Sequence, residues 1–238
     1  DHRDLHSFPT RRSSDLGSVT ASLVVSPIAP NIGTLTVPAK NYGDASFNLT
    51  APTSNSSGAF SYTSSDVGVA TVTSGGSVTI VGAGTTTITA TQESSGNYIA
   101  GSVTASLVVS PIAPTIGSLV APAKNYGDAS FNLTAPTSNS TGAFTYTSSD
   151  AAVATVTSGG RVTVIGVGST TITATQEASG NYIGGNVTAS LVVSPIAPTI
   201  GSLVAPAKNY GDASFNLTAP TSNSSGAFSY TSSDAGVA

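Results

Sequence analysis

The side chains with acid–base or ligand chemistry are few, and they recur at a fixed spacing. Downstream of residue 16 the first stretch holds Asp44, Asp66 and Glu93, and the same acids return as Asp128, Asp150 and Glu177. Hard carboxylate oxygens are what calcium selects, so these six are candidate calcium ligands near domain junctions. Calcium needs several converging oxygens, however, and there is no Asp-x-Asp or Asp-x-Asn-x-Asp run. The plainer reading is turn capping and solubility, with Asp66, after Ser64 and Ser65, bonding nearby backbone. A paired-carboxylate hydrolase would need two acids about 5 to 10 Å apart in a cleft beside substrate-binding aromatics.

Tyr98 and Tyr182 are the candidate ligand-binding residues, because an aromatic ring on a loop can stack on a sugar; packing at the rim of a core is the competing role. Val81-Gly82-Ala83-Gly84 opens like a dinucleotide fingerprint, yet the third glycine is missing and TTTITA follows as strand, leaving no helix N-terminus to face a phosphate. It reads as a hairpin turn. The chain has no Cys, Met or Trp, and both histidines lie in the first six residues. The many Ser and Thr hydroxyls therefore have no obvious base, and thiolate or imidazole metal sites are excluded from the repeats. No catalytic residue and no cofactor other than calcium is expected.

Composition sets the class of scaffold. Only 8% of the 238 residues are charged, the net charge is −4 and the pI is about 4.8. That balance excludes a basic nucleic-acid binder and argues against helices, whose exposed faces need Glu, Lys and Arg. No run approaches the roughly 18 apolar residues of a membrane helix. Residues 1–16, DHRDLHSFPTRRSSDL, hold three of the seven Lys and Arg. Back-translated, they resemble one reading frame of a common short-read sequencing adapter, so they are set aside from fold reasoning; the alternative is a charged tail. The lack of a secretion signal is then uninformative.

From Gly17 the chain is a repeat. YGDASFNLTAP begins at Tyr42, Tyr126 and Tyr210, a period of 84 residues. Residues 17–100 and 101–184 match at roughly four positions in five. The period is too long for a solenoid unit and close to one immunoglobulin-sized domain. Seven strands are expected in the first complete copy: 33–37, 45–51, 59–64, 69–73, 77–81, 85–91 and 102–110. They rest on period-two alternation, as in Thr86, Ile88 and Ala90 against threonines, or Val103, Ala105, Leu107 and Val109 against Thr104 and Ser106. The expected core includes Phe47, Leu49, Val72, Ile80, Ile88 and Leu107. Ser-Pro-Ile-Ala-Pro at 26–30, 110–114 and 194–198 is a short, stiff linker that should string domains end to end.

The expected organisation is an all-β array: an orphan last strand and linker at 17–29, immunoglobulin-like domains at 30–113 and 114–197, and a partial third at 198–238. The third copy stops at the equivalent of Ala70, before its last strands, so both partial copies are expected to be unstable, with edges that invite pairing.

Residues 63–92, TSSDVGVATVTSGGSVTIVGAGTTTITATQ, resemble the bacterial immunoglobulin-like domains of the second group: a Ser-Ser-Asp turn, a Val-Ala-Thr-Val strand, a Gly-centred hairpin, then Gly-Ala-Gly-Thr before Ile-Thr-Ala. The pattern recurs at 147–176 and restarts at Thr231. The resemblance implies tandem β-sandwiches in an extracellular, cell-surface or phage-surface protein of the intimin- or invasin-like adhesin kind, with no active site to carry over. The implied role is a structural spacer, with repeats that themselves bind a glycan or host protein as the alternative and accessory domains of an extracellular enzyme as a distant third. The expected partners are other domains of the same longer chain and a surface glycan or protein, with no nucleic acid.

Overall fold

A computed structural model of the protein describes residues 20–237, and among these there is strand but no helix. Residues 1–16 and the start of the 17–29 segment lie outside the described residues. Contacts divide the chain into two units, the first ending at Ser110 and the second beginning at Pro111.

In the first unit the strands are β1 (Lys40–Asn41), β2 (Phe47–Asn48), β3 (Phe60–Ser64), β4 (Ala70–Val72), β5 (Ser77–Ile80), β6 (Gly84–Gln92) and β7 (Gly101–Ser110). They form one sheet in the order β1-β7-β6-β3 and another in the order β2-β5-β4. The pairing is antiparallel except for β1 with β7, which is parallel with Lys40 opposite Val109 and Asn41 opposite Ser110. β6 and β7 carry the longest ladder, from Gly84–Val109 to Gln92–Gly101.

Alternation along these strands decides what is inside. Thr86, Ile88, Ala90 and Gln92 of β6 and Leu107 and Val109 of β7 face inward and are buried, while Thr85, Thr87, Thr91, Ser102, Thr104 and Ser106 face water. β-branched residues suit this half-buried pleated surface, where helix would cost them rotamer freedom. Both sheets supply one core: Ile88, Ala90, Leu107 and Val109 from one, Ala70 and Val78 from the other, with Tyr62, Leu35 and Val69 closing it. This is a β-sandwich whose inner faces interdigitate.

The second unit repeats the fold with β8 (Lys124–Asn125), β9 (Phe131–Asn132), β10 (Phe144–Ser148), β11 (Ala154–Val156), β12 (Arg161–Val164), β13 (Gly168–Gln176) and β14 (Gly185–Ser194). Its sheets run β10-β13-β14-β8 and β11-β12-β9, around a core of Leu119, Tyr146, Val153, Ala154, Val162, Ile172, Ala174, Leu191 and Val193.

Five of the seven expected strands per repeat hold to within a few residues, and two differ. Residues 33–37 form no strand; Ile32 makes a single bridge to Ser54, and the Gly33 amide donates to the Thr53 carbonyl at 2.8 Å. The segment expected at 45–51 contracts to Phe47–Asn48, because its only neighbour is the short β5. Of the expected core, Ile88 and Leu107 are fully buried, whereas Phe47, Leu49, Val72 and Ile80 pack partly buried against it.

The Gly82-Ala83-Gly84 turn also departs from expectation. It does not close a hairpin: β5 and β6 lie in different sheets, so the turn carries the chain across the sandwich. Gly84 has φ +147, and a Cβ there would meet the Val69 side chain at 2.8 Å. The hairpin is the other glycine turn, Ser74-Gly75-Gly76, which joins the antiparallel β4 and β5.

Candidate functional site

The fold distributes the acidic residues among separate turns. At the end of β1 the Asn41 amide donates to Asp44 Oδ2 at 2.9 Å, and the Asn125 amide does the same to Asp128 Oδ2 at 2.9 Å. After β3 the Gly68 amide donates to Asp66 Oδ1 at 2.8 Å, matched by the Ala152 amide to Asp150 Oδ1 at 2.9 Å. Each carboxylate thus accepts from a backbone amide two or three residues away, and at Asp66 and Asp150 this is the Asx geometry that shapes a turn. Glu93 and Glu177 are exposed just after β6 and β13. Among the described residues no three His, Cys, Asp or Glu side chains come together as a metal would require. The six calcium candidates are therefore not assembled into one centre.

Tyr98 and Tyr182 lie half-buried in the loops between the two longest strands of each repeat. Tyr98 is held by a bridge to Ser95 and a parallel bridge to Ile28, and Tyr182 by the same contacts to Ser179 and Ile112. Ile99 and Ile183 beside them are exposed. The linker isoleucine therefore pairs with the repeat that follows it, and the loop tyrosine is where it docks.

The hydrogen-bonding roles of two inward-facing polar side chains, Gln92 and Thr86, escaped the sequence reading. Gln92 is 1% exposed. Its Oε1 accepts from Ser54 Oγ at 2.6 Å, and its Nε2 donates to the carbonyls of Ser56 at 3.0 Å and Gly58 at 2.9 Å. Gln176 repeats the arrangement with Ser138, Ser140 and Gly142. Thr86, also buried, accepts from the Asp66 amide at 2.9 Å and shares hydrogen bonds with the hydroxyls of Ser64 and Ser65. Both side chains sit in the inward phase of β6, which marks them in the sequence; their partners come from loops far along the chain. Among the described residues no buried side-chain nitrogen or oxygen lacks a partner, as a satisfied interior requires.

Cations are as sparse as acids. Lys40 Nζ lies 4.8 Å from the centre of the Phe47 ring, Lys124 4.7 Å from Phe131 and Lys208 5.2 Å from Phe215. The first two cation–π contacts tie β1 to β2 and β8 to β9.

Burial raises the phenols of Tyr62 and Tyr146 above the usual tyrosine value. Each folded-state value exceeds the unfolded one, so the associated stabilisation is present below the unfolded value and is lost as pH rises through the folded one. Alkaline titration of tyrosinate absorbance should show a late component that Tyr62→Phe and Tyr146→Phe remove. A late component surviving both substitutions would contradict this assignment.

The arrangement offers turns, hydroxyls and packed aromatics. No helix among the described residues is long and apolar enough to cross a membrane.

Comparison with known proteins is consistent with this geometry. Residues 130–182 match the bacterial Ig-like domain (group 2), and residues 49–94 match the intimin immunoglobulin-like domain. No curated protein sequence matches the chain. Among solved structures it is similar to Drosophila N-cadherin EC1-4, at 15% identity and TM-score 0.33 over 70% of this chain and 49% of that one. It thus spans about half the length of that cadherin fragment. A SusE-like surface-located polysaccharide-binding protein from Bacteroides thetaiotaomicron is similar at 10% identity and TM-score 0.29, over 72% of this chain and 36% of that one. Surface layer protein SbsC, domains 1-6, is similar at 17% identity and TM-score 0.25, over 82% and 32%. The matched families are adhesion-type domains rather than enzymes, and the matches support a surface-protein repeat role. Each of the two sandwiches thus overlaps a stretch that matches a bacterial immunoglobulin-like family model, which supports reading the chain as tandem domains of that kind.

Proposed function

We propose that the repeats are a structural spacer in a surface-exposed, adhesin-like protein, carrying a distal binding domain away from the surface to which the protein is attached. The observation that carries this reading is the brevity of the joint. Ser110 is paired with Asn41 in the first repeat and Ile112 is bridged to Tyr182 in the second. Only Pro111 stands between them, and proline fixes its own φ. A one-residue joint has little slack, as a spacer requires. The sparsely charged, hydroxylated outer faces support the reading from another side, since they keep an array hydrated.

The rival reading makes the repeats themselves a binding module, with Tyr98 and Tyr182 and the exposed Ile99 and Ile183 beside them at a loop. Loops on a rigid scaffold are where binding residues concentrate. The two readings separate on a glycan and host-protein array probed with the full chain. The spacer reading expects no specific retention. Retention abolished by Tyr98→Ala together with Tyr182→Ala would replace it with the binding-module reading.

A further inference from the structure

The first and last strands of each repeat lie side by side and run in the same direction. In the first repeat Lys40 of β1 stands opposite Val109 of β7, Asn41 opposite Ser110, and the Tyr42 amide donates to the Ser110 carbonyl at 2.9 Å. In the second, Lys124 of β8 stands opposite Val193 of β14, Asn125 opposite Ser194, and the Tyr126 amide donates to the Ser194 carbonyl at 2.9 Å. The linker isoleucines enter in the same sense, Ile28 bridging Tyr98 and Ile112 bridging Tyr182 in parallel. Among the described residues every other pairing of named strands is antiparallel.

This topology fixes how tension passes through a repeat. The chain enters at Ile28, beside the loop that precedes β7, and leaves at Ser110, where β7 ends. The ten residues of β7 put about 30 Å between those points. Pulling them apart therefore slides β1 and β7 past each other lengthwise, and the bonds between them are loaded together. An antiparallel first and last strand would bring entry and exit to one end, and the same pull would open the bonds one after another. β7 does not yield first, because Leu107 and Val109 are buried in the core and the long ladder to β6 holds its other edge. That ladder and that core are strained only after β1 has slid off β7.

We infer that the β1–β7 pair is a mechanical clamp, as is β8–β14: a short patch of parallel main-chain bonds that keeps its repeat folded when the chain is pulled lengthwise. Its use rests on the spacer reading, in which a load on a distal domain is carried through every repeat. The clamp itself follows from strand direction. Forced unfolding is governed by the unfolding rate rather than by equilibrium stability. A patch of two residue pairs therefore decides the response to load while adding little to the total free energy. Once β1 is off, the remaining antiparallel ladders lie open to the load from one end, so the repeat releases its length in one step.

The test is single-molecule stretching of the full chain at one pulling speed. Held by its two ends, the chain should give two releases of about 240–270 Å, which is one 84-residue period drawn to about 3.3–3.6 Å per residue less a folded length of about 30–40 Å. The chain contains no cysteine, so Thr85→Cys with Ser110→Cys supplies a second pair of handles. Both positions are exposed and lie at the same end of the β6–β7 ladder, and loading there opens that ladder one pair at a time. The expected force is lower than in the end-held chain by about twofold or more, although the ladder is the longer one, because two residue pairs share the load in the clamp. A backbone variant isolates the patch. Asp44 donates its amide to the Asn41 carbonyl at 3.1 Å and Gly43 has φ +87, so Tyr42 occupies the turn position that accepts proline. Tyr42→Pro removes the amide that bonds Ser110, and Tyr42→Ala removes the ring alone. In the end-held chain one of the two releases should move to lower force in Tyr42→Pro than in Tyr42→Ala, with circular dichroism verifying that both are folded. Equal forces in the two loading geometries overturn the inference, as do proline and alanine variants that release at the same force. Neither result touches the spacer reading, which the binding array decides, and retention on that array would leave the clamp in place.

Discussion

Leu107→Ala is expected to destabilise the first repeat by about 3–5 kcal/mol and to leave the second repeat unchanged. Leu107 is fully buried at the meeting of both sheets, in a core with Ile88, Ala70 and Val78. Truncating a leucine in such a place removes its transfer free energy and leaves a cavity that neighbours only partly fill. A domain of this size has a total stability of the same order, about 5–15 kcal/mol, so the loss is a large fraction of it. The measurement is calorimetry of the full chain. One of two unfolding components should move down by about 12–40 °C while the other, governed by the core around Leu191, stays in place. If both components moved together, the two units would be one cooperative block, and the reading of the repeats as self-contained modules would be wrong.

Gln92→Ala comes next, at about 2–3 kcal/mol. The cost arises from what the substitution strands: the carbonyls of Ser56 and Gly58 lose a buried donor and Ser54 Oγ loses its acceptor. A buried polar group left without a partner bears its full desolvation penalty, about 1–3 kcal/mol. The change should be local as well as global, with amide exchange accelerating through residues 54–58 before the β6–β7 ladder opens. Chemical denaturation of the variant gives the total. A loss below about 0.5 kcal/mol, the scale of an ordinary surface substitution, would mean that the loop is held by something other than Gln92.

The repeat and the strand phases were legible in the sequence because they are local. Period-two alternation put Thr86, Ile88 and Ala90 inside and threonines outside, and the folded chain agrees. The Ser-Ser-Asp turn was legible for the same reason, since Asp66 bonds the Gly68 amide two residues away. Where the partner is distant, local pattern failed. Lys40–Asn41 has no strand propensity worth reading; it becomes β1 because Val109 and Ser110 lie beside it. Residues 33–37 look extended and apolar but find no ladder, only a bridge from Ile32 to Ser54. Gly82 to Gly84 reads as a hairpin until sheet membership shows the chain crossing from one sheet to the other.

The sequence alone determined that this is a repeating, cysteine-free, β-rich chain, because alternation and an 84-residue period are properties of neighbours along the chain. Only the tertiary structure decided that the carboxylates serve separate turns, that Gln92 and Thr86 pin loops to the core, and that the linker isoleucines belong to the repeat after them. The glutamine, threonine and isoleucine contacts join residues tens of positions apart, and such contacts exist only once two sheets close on a shared interior.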